Sequence, residues 1–188
     1  MNQQIQQFLL KLARRALEHY FEYHKTIELD ESELSDPILK EERGTFVTLH
    51  LHGQLRGCIG HIEPIQEFYK DIIDNALSAA FEDPRFMPLT QNELGDIDIE
   101  ISVLTPPEKL AYGSTEDLLI KLRPNIDGVI IEKGRYGATY LPQVWEDLPD
   151  KKDFLSSLCV KAGLPHDEWR DGRLKVSIYK AEVFGDKS

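Results

Sequence analysis

A thiol flanked by small residues and preceded by a guanidinium is the first chemistry the sequence offers. Cys58 lies in Leu55-Arg56-Gly57-Cys58-Ile59-Gly60, two residues after Arg56. A nucleophilic thiol needs a depressed pKa, which a neighbouring cation can supply. Arg56, and His50 on the preceding extended segment, are positioned for that role. The same residues also suit a small buried or cleft-lining thiol where a sheet packs closely. Gly57 and Gly60 remove side-chain bulk, so a ligand or another backbone can approach the strand; a bend in a curved sheet would use the same glycines. Arg56 could hold a carboxylate or phosphate bidentately, or close an internal ion pair with Glu100 or another acid.

Further polar candidates lie downstream. Glu100 and Ser102 share the side of a strand opposite its apolar residues, where Glu100 could act as a general base, orient a ligand, or pair with Arg56 or Arg85. Arg85 follows a proline in a bent segment and is a candidate anion contact or structural salt bridge. Tyr140 and Thr139 occupy a second hairpin in positions equivalent to Ile59 and Cys58. His50-x-His52 and His61-x-Glu63 have metal-ligand spacing. His52, however, falls in a turn, and neither a metal nor a cofactor is expected. Cys159 sits among Leu155 and Leu158 and reads as core; Lys161 reads as exposed at a helix end.

The elements that position these residues follow from periodicity. Ile5, Phe8, Leu9, Leu12, Ala16, Leu17 and Tyr20 predict a helix over residues 3–24. An acidic connector, residues 28–42, reads as a solvated loop. Residues 45–51 and 55–60 form a hairpin. A three-residue loop, His52-Gly53-Gln54, would set Leu49 opposite Gly57 and Val47 opposite Ile59, leaving one face apolar. A helix from Pro64 to Phe81 follows, then a strand over Ile97–Leu104. Ser114 starts a helix to about Leu122. Strands at 128–132 and 136–141, helices near 142–147 and 151–162, and a last strand at 174–184 complete the chain. From Gly53 to Ile97 is 44 residues, and from Gly134 to Leu174 is 40. This points to two pseudo-symmetric β-hairpin–helix–strand units, about 44–105 and 127–184. The expected fold is α+β, an antiparallel and barrel-like core with helices packed outside. No G-x-G-x-x-G or P-loop appears.

The string Leu55-Arg56-Gly57-Cys58-Ile59-Gly60 resembles the hallmark motif of the AMMECR domain family, whose bacterial and archaeal members are called protein A of the AmmeMemoRadiSam system. Asp83-Pro84-Arg85-Phe86 with Pro88, Glu100-Ile101-Ser102-Val103-Leu104-Thr105, and Gly137-Ala138-Thr139-Tyr140-Leu141-Pro142-Gln143-Val144 match in the same order. Phe154-Leu155 with Leu158-Cys159-Val160-Lys161-Ala162-Gly163-Leu164 extends the likeness over about residues 44–184 of a single domain spanning 1–188. The resemblance implies two intertwined subdomains around a cleft. It also implies two partners, a metal-dependent Memo-type protein and a radical S-adenosylmethionine enzyme. The reaction of the domain itself is not implied.

Composition bounds the function. Thirty-three acids against 22 lysines and arginines give a net charge of −11 in 188 residues, which disfavours polymeric nucleic acid and anionic membranes. No apolar run approaches the roughly 20 residues needed to cross a bilayer. No signal-peptide pattern appears at the N-terminus, so a cytoplasmic protein is expected. The charge is uneven: residues 43–61 hold Arg43, Arg56 and three histidines without an acid, and residues 133–145 hold Lys133 and Arg135 without one. Two readings result. The first is a component binding a small anionic ligand through Arg56, Gly57, Gly60, Arg85, Ser102 and Tyr140. The second is an enzyme using Cys58 and Glu100 on a small anionic substrate.

Overall fold

The N-terminal periodicity becomes α1 (Gln3–Tyr23), started by Asn2, whose side chain accepts from the Ile5 amide at 2.9 Å. This computed structural model describes residues 1–186. The fold is α+β, with two separate four-stranded antiparallel sheets and no closed barrel among the described residues. The chain divides into two compact units, Met1–Leu104 with the segment from Glu182 onward, and Thr105–Ala181.

In the first unit, β1 (Thr45–Leu51) and β2 (Gln54–His61) form the hairpin, α2 (Phe68–Phe81) follows, and β3 (Ile97–Leu104) returns beside β1. With β8 (Ala181–Gly185) the order is β2-β1-β3-β8, so β2 is an edge strand. Val47, Leu49, Ile99 and Ile101 share a core with Leu9 and Leu17 of α1 and Phe68 and Ile72 of α2. In the second unit, β4 (Glu108–Lys109) and α3 (Thr115–Lys121) lead to the hairpin β5 (Gly128–Lys133) and β6 (Tyr136–Tyr140). Then come α4 (Val144–Asp147), α5 (Lys151–Lys161) and β7 (Lys175–Tyr179), in the order β4-β7-β5-β6. Its core stacks Trp145 on Phe154 at 3.6 Å, around Val129, Ile131 and Leu158. Each sheet thus has a hairpin whose first strand is flanked by the strand returning from its helices. That is the duplication expected from the spacing.

Four local expectations are corrected. The first hairpin turns on two residues, His52 and Gly53, both at positive φ (53° and 80°), the geometry that suits strand twist. A bulge between Leu49 and His50 then shifts the register by one, so Leu49 still faces Gly57 and Val47 still faces Ile59. Face consistency is restored by the bulge rather than by a longer loop. Helix α2 starts at Phe68 instead of Pro64, because Glu67 bridges to Glu42 and the Phe68 amide donates to Glu41 O at 2.8 Å, holding the approach extended. The last strand is two strands. It breaks at Lys180, whose amide donates to Thr105 Oγ1 at 2.9 Å while the Thr105 amide donates back to Lys180 O. The acidic connector is not wholly solvated. A 3-10 turn, Pro37–Lys40, capped by Asp36, buries Leu39, and Leu34 is buried just before it.

Candidate functional site

The face of the first sheet opposite its core reads in rows across β2, β1 and β3. These are Cys58–Thr48–Glu100 at the centre, Gly60–Phe46–Ser102 on one side and Leu55–His50–Asp98 on the other. The antiparallel register therefore gathers Cys58, Glu100 and Ser102 on one surface, as the alternation of side chains requires.

Among the described residues, the outward backbone of β2 at Cys58 has no strand to pair with. Asp83 and Arg85 take that place. Asp83 Oδ2 accepts from the Cys58 amide at 2.9 Å, and Arg85 Nη2 donates to the Cys58 carbonyl at 3.3 Å. The two side chains are themselves joined by Arg85 Nε to Asp83 Oδ1 at 2.9 Å and Nη2 to Oδ2 at 2.7 Å. Arg85, then the Cys58 and Arg85 amides, hold the Asp83 carboxyl well below the usual carboxylate range despite its burial. Arg85 remains largely exposed, and its Nη1 donates to none of the described residues.

The Cys58 thiol is half-buried. Burial pushes its pKa up, and the Thr48 hydroxyl, which donates to Sγ at 3.2 Å, and the charge of Arg85 only partly oppose this. Arg56 points elsewhere. Its Nε and Nη2 grip Glu93 at 2.8 and 3.1 Å, and Nη1 and Nη2 donate to the carbonyls of Met87 and Pro88. Arg56, with Thr90, holds the Glu93 carboxyl down at about 2. The acid that meets Arg56 is thus Glu93, and the one that meets Arg85 is Asp83.

Gly57 and Gly60 are positions of close approach. A Cβ on Gly57 would lie 2.0 Å from the Ala79 carbonyl of α2, and one on Gly60 would lie 2.1 Å from Thr45 O. Glu100 is partly buried, and its carboxylate makes no hydrogen bond or ion pair with the described residues. It borders, with His50 and Asp98, a cavity of about 290 Å³ closed on the far side by Val183 and Gly185. Ser102, two residues further along the same face of β3, is buried.

Tyr140 belongs to the second unit and faces its core. Its hydroxyl lies 2.9 Å from Ser157 Oγ, its ring meets Phe154, and Lys161 Nζ sits 4.7 Å from the ring centre. Thr139, on the other face, bonds Tyr179, whose hydroxyl burial pushes up to about 12. The histidines diverge: His50 borders the cavity, His52 is in the turn, and His61 Nδ1 lies 3.4 Å from buried Asp71. Among the described residues no three His, Cys, Asp or Glu side chains are grouped to hold a metal ion. Most cations of the two hairpin regions meet acids: Arg43 meets Glu41 two residues before it, Arg56 meets Glu93 and Lys133 meets Glu168, while Arg135 donates to the Tyr136 hydroxyl.

Asp83 and Glu93 are parts of the site that spacing alone did not single out. Asp83 was visible only as the head of the Asp83-Pro84-Arg85 string. Its signal is an acid two residues before an arginine at a proline bend, a geometry that lets one clamp the other.

The fold is α+β, and its edge strand β2, carrying a thiol, is sealed by an Asp–Arg pair from the segment after the following helix. The chain belongs to the AMMECR1 family, whose model matches residues 10–184. It is 42% identical over 177 residues to a protein of Methanothermobacter thermautotrophicus, covering 94% of this chain and 91% of that one. It is 44% identical over 191 residues to a protein of Thermococcus onnurineus, covering 96% and 90%. The crystal structure of an uncharacterized protein from Pyrococcus horikoshii superposes with a TM-score of 0.88 at 41% identity, covering 96% of this chain and 90% of that chain. No helix among the described residues is long and apolar enough to cross a membrane.

Proposed function

We propose that the protein is a cytoplasmic binding component, the counterpart of protein A of the AmmeMemoRadiSam system. It holds a small anionic ligand beside the Leu55–Gly60 strand and acts with a metal-dependent Memo-type protein and a radical S-adenosylmethionine enzyme. The observation that carries this reading is Arg85. It is fixed by Asp83 and the Cys58 carbonyl, yet exposed, with Nη1 left for an incoming oxygen next to the thiol. A guanidinium held in place loses little freedom on binding a carboxylate or phosphate. Catalysis by Cys58 is the weaker reading, since burial pushes the thiol pKa up, opposite to the shift a nucleophile needs.

Calorimetric titration with phosphate and with hexanoate tests the binding reading. Both are expected to bind the intact protein, with Cys58→Ala within about threefold of wild type and Arg85→Lys at least about fivefold weaker. Absence of binding to either anion overturns it. Alkylation of Cys58 with iodoacetamide should be slow at pH 7 and accelerate only above the ordinary thiol range of about 8.5. Rapid labelling at neutral pH would restore the enzyme reading. Pull-down of the Memo-type protein by the tagged chain tests the partnership.

A further inference from the structure

The second unit carries a cavity of about 270 Å³ lined by its own residues, among them Thr105, Glu108, Arg123, Ile178 and Lys180. Arg123 is built into its wall by Asp127, a carboxylate with only 1% of its side chain exposed. Asp127 Oδ2 accepts from the Arg123 amide at 2.9 Å and from Nε at 3.1 Å, and Oδ1 accepts from Nη2 at 2.6 Å. The turn that brings the two together passes through Asn125 at a φ of 63°. Asp127 thus occupies one edge of the planar guanidinium, Nε with Nη2. The edge formed by Nη1 and the second Nη2 proton has the same fork geometry, and the side chain is 49% exposed. Such a fork matches the paired oxygens of a carboxylate or phosphate.

Lys180 brings a second, exposed cation to the same cavity, and its backbone fixes it there. Its amide donates to Thr105 Oγ1 at 2.9 Å, and the Thr105 amide donates back to its carbonyl at 2.9 Å. Because Thr105 Oγ1 accepts from that amide, its own proton can be given to a ligand. A guanidinium fork, an ammonium and a hydroxyl around one cavity form a donor set for a phosphoryl group, which carries close to two negative charges at neutral pH. Glu108 limits what else the ligand can carry. It lines the same cavity and stands within the field of Arg123, whose pKa is raised first by Asp127 and more weakly by Glu108. A second anionic group would be repelled there, whereas a hydroxyl could donate to the carboxylate. We propose that this cavity is a second small-molecule site, taking the phosphate monoester of a short hydroxylated carbon chain. The phosphoryl group sits on Arg123, Lys180 and Thr105, the carbon chain against Ile178, and the hydroxyls towards Glu108. The inference is independent of the anion reading at Arg85.

Amide NMR of the isotope-labelled protein, titrated at constant ionic strength with glycerol 3-phosphate, phosphoglycerate and inorganic phosphate, reads this site apart from the first. The Thr105, Arg123 and Lys180 amides should shift together and saturate with glycerol 3-phosphate. That ligand should bind about threefold tighter than inorganic phosphate, and about threefold tighter than phosphoglycerate, whose carboxylate meets Glu108. Glu108→Gln should erase the preference over phosphoglycerate. Arg123→Gln would also strip buried Asp127 of its cation, so Lys180→Met carries the test, since it keeps the backbone bonds to Thr105. It should weaken glycerol 3-phosphate at least about fivefold, read at Thr105 and Arg123, while Arg85→Lys leaves that midpoint unchanged. If those amides do not shift, or their midpoint is the same in Lys180→Met, the site is overturned, whatever binds at Arg85. If inorganic phosphate or phosphoglycerate binds as tightly as glycerol 3-phosphate, the ligand class is overturned.

Discussion

The arginine that looks most available in the sequence is the one most fully engaged in the fold. Arg56 spends its guanidinium on Glu93 and two carbonyls, whereas Arg85 keeps one nitrogen free. The engaged pair has a measurable signature in pH. The Glu93 carboxyl is held at about 2 by Arg56, against about 4.3 for an unfolded glutamate. A depressed native value means the unfolded chain binds the proton first as pH falls. The pair's contribution is therefore complete above the unfolded value and is lost as pH drops from about 5 towards about 2. Asp83, depressed by Arg85, adds loss in the same direction. Arg56→Met should cost about 2 kcal/mol at pH 7, less than a fully buried pair because both side chains are partly solvated. It should also flatten the dependence of the urea midpoint on pH between about 5 and 2. Wild-type and variant curves that run parallel through that range would show that Glu93 owes nothing to Arg56.

At the scale of elements, the glycines of the Leu55–Gly60 strand are set by packing. Gly57 lets α2 lay its Ala79 carbonyl against the strand, where a methyl group would sit 2.0 Å from that oxygen. Backbone cannot yield as a side-chain tip can, so Gly57→Ala should destabilise by about 3 kcal/mol in denaturant unfolding, the upper range for overpacking. Gly95→Ala, with nothing within 4 Å, should stay within about 0.5 kcal/mol. Equal effects at the two positions would sink the packing account. Such close approaches are not legible in a sequence, because a glycine reads alike whether it admits a ligand, a bend or a helix. What was legible is periodic. The helix at Gln3–Tyr23, the strands at Thr45–Leu51 and Ile97–Leu104 and the repeat of hairpin, helix and returning strand all follow from apolar spacing. The facing of Leu49 with Gly57 was legible too, but the bulge that achieves it was not, since alternation fixes which faces meet and not how many residues turn. The break at Lys180 left no mark either, because no glycine or proline stands there between Arg173 and Phe184 while the backbone changes sheet. Asp83 stayed hidden because its partner is a main-chain amide 25 residues away.

At the scale of the whole molecule, the chain closes its first sheet last. The strand after β3, β4, joins the second sheet, and the strand after β7, β8, joins the first, so each sheet takes its fourth strand from the chain that follows the other's third. The first unit therefore remains open at β3 until everything up to residue 185 has been made. The late segment brings Phe184, 5% exposed, into the first unit's core. Asp186 follows it, with Oδ2 accepting from the Ile99 amide and from Arg14 of α1, both at 2.9 Å. Truncating a buried phenylalanine costs about 3–5 kcal/mol. Phe184→Ala should therefore destabilise by about 3 kcal/mol, and a chain ending at Lys180 by more, since it also frees the Ile99 backbone and leaves β3 as an edge. Hydrogen exchange can locate the loss. Amides of β3 around Ile99 and Ile101 should lose protection first, while Val129 and Ile131 of β5 keep theirs, their own sheet retaining β4, β7 and β6. Loss of protection beginning in β5, or unchanged protection in β3, would show that the returning strand does not complete the first unit.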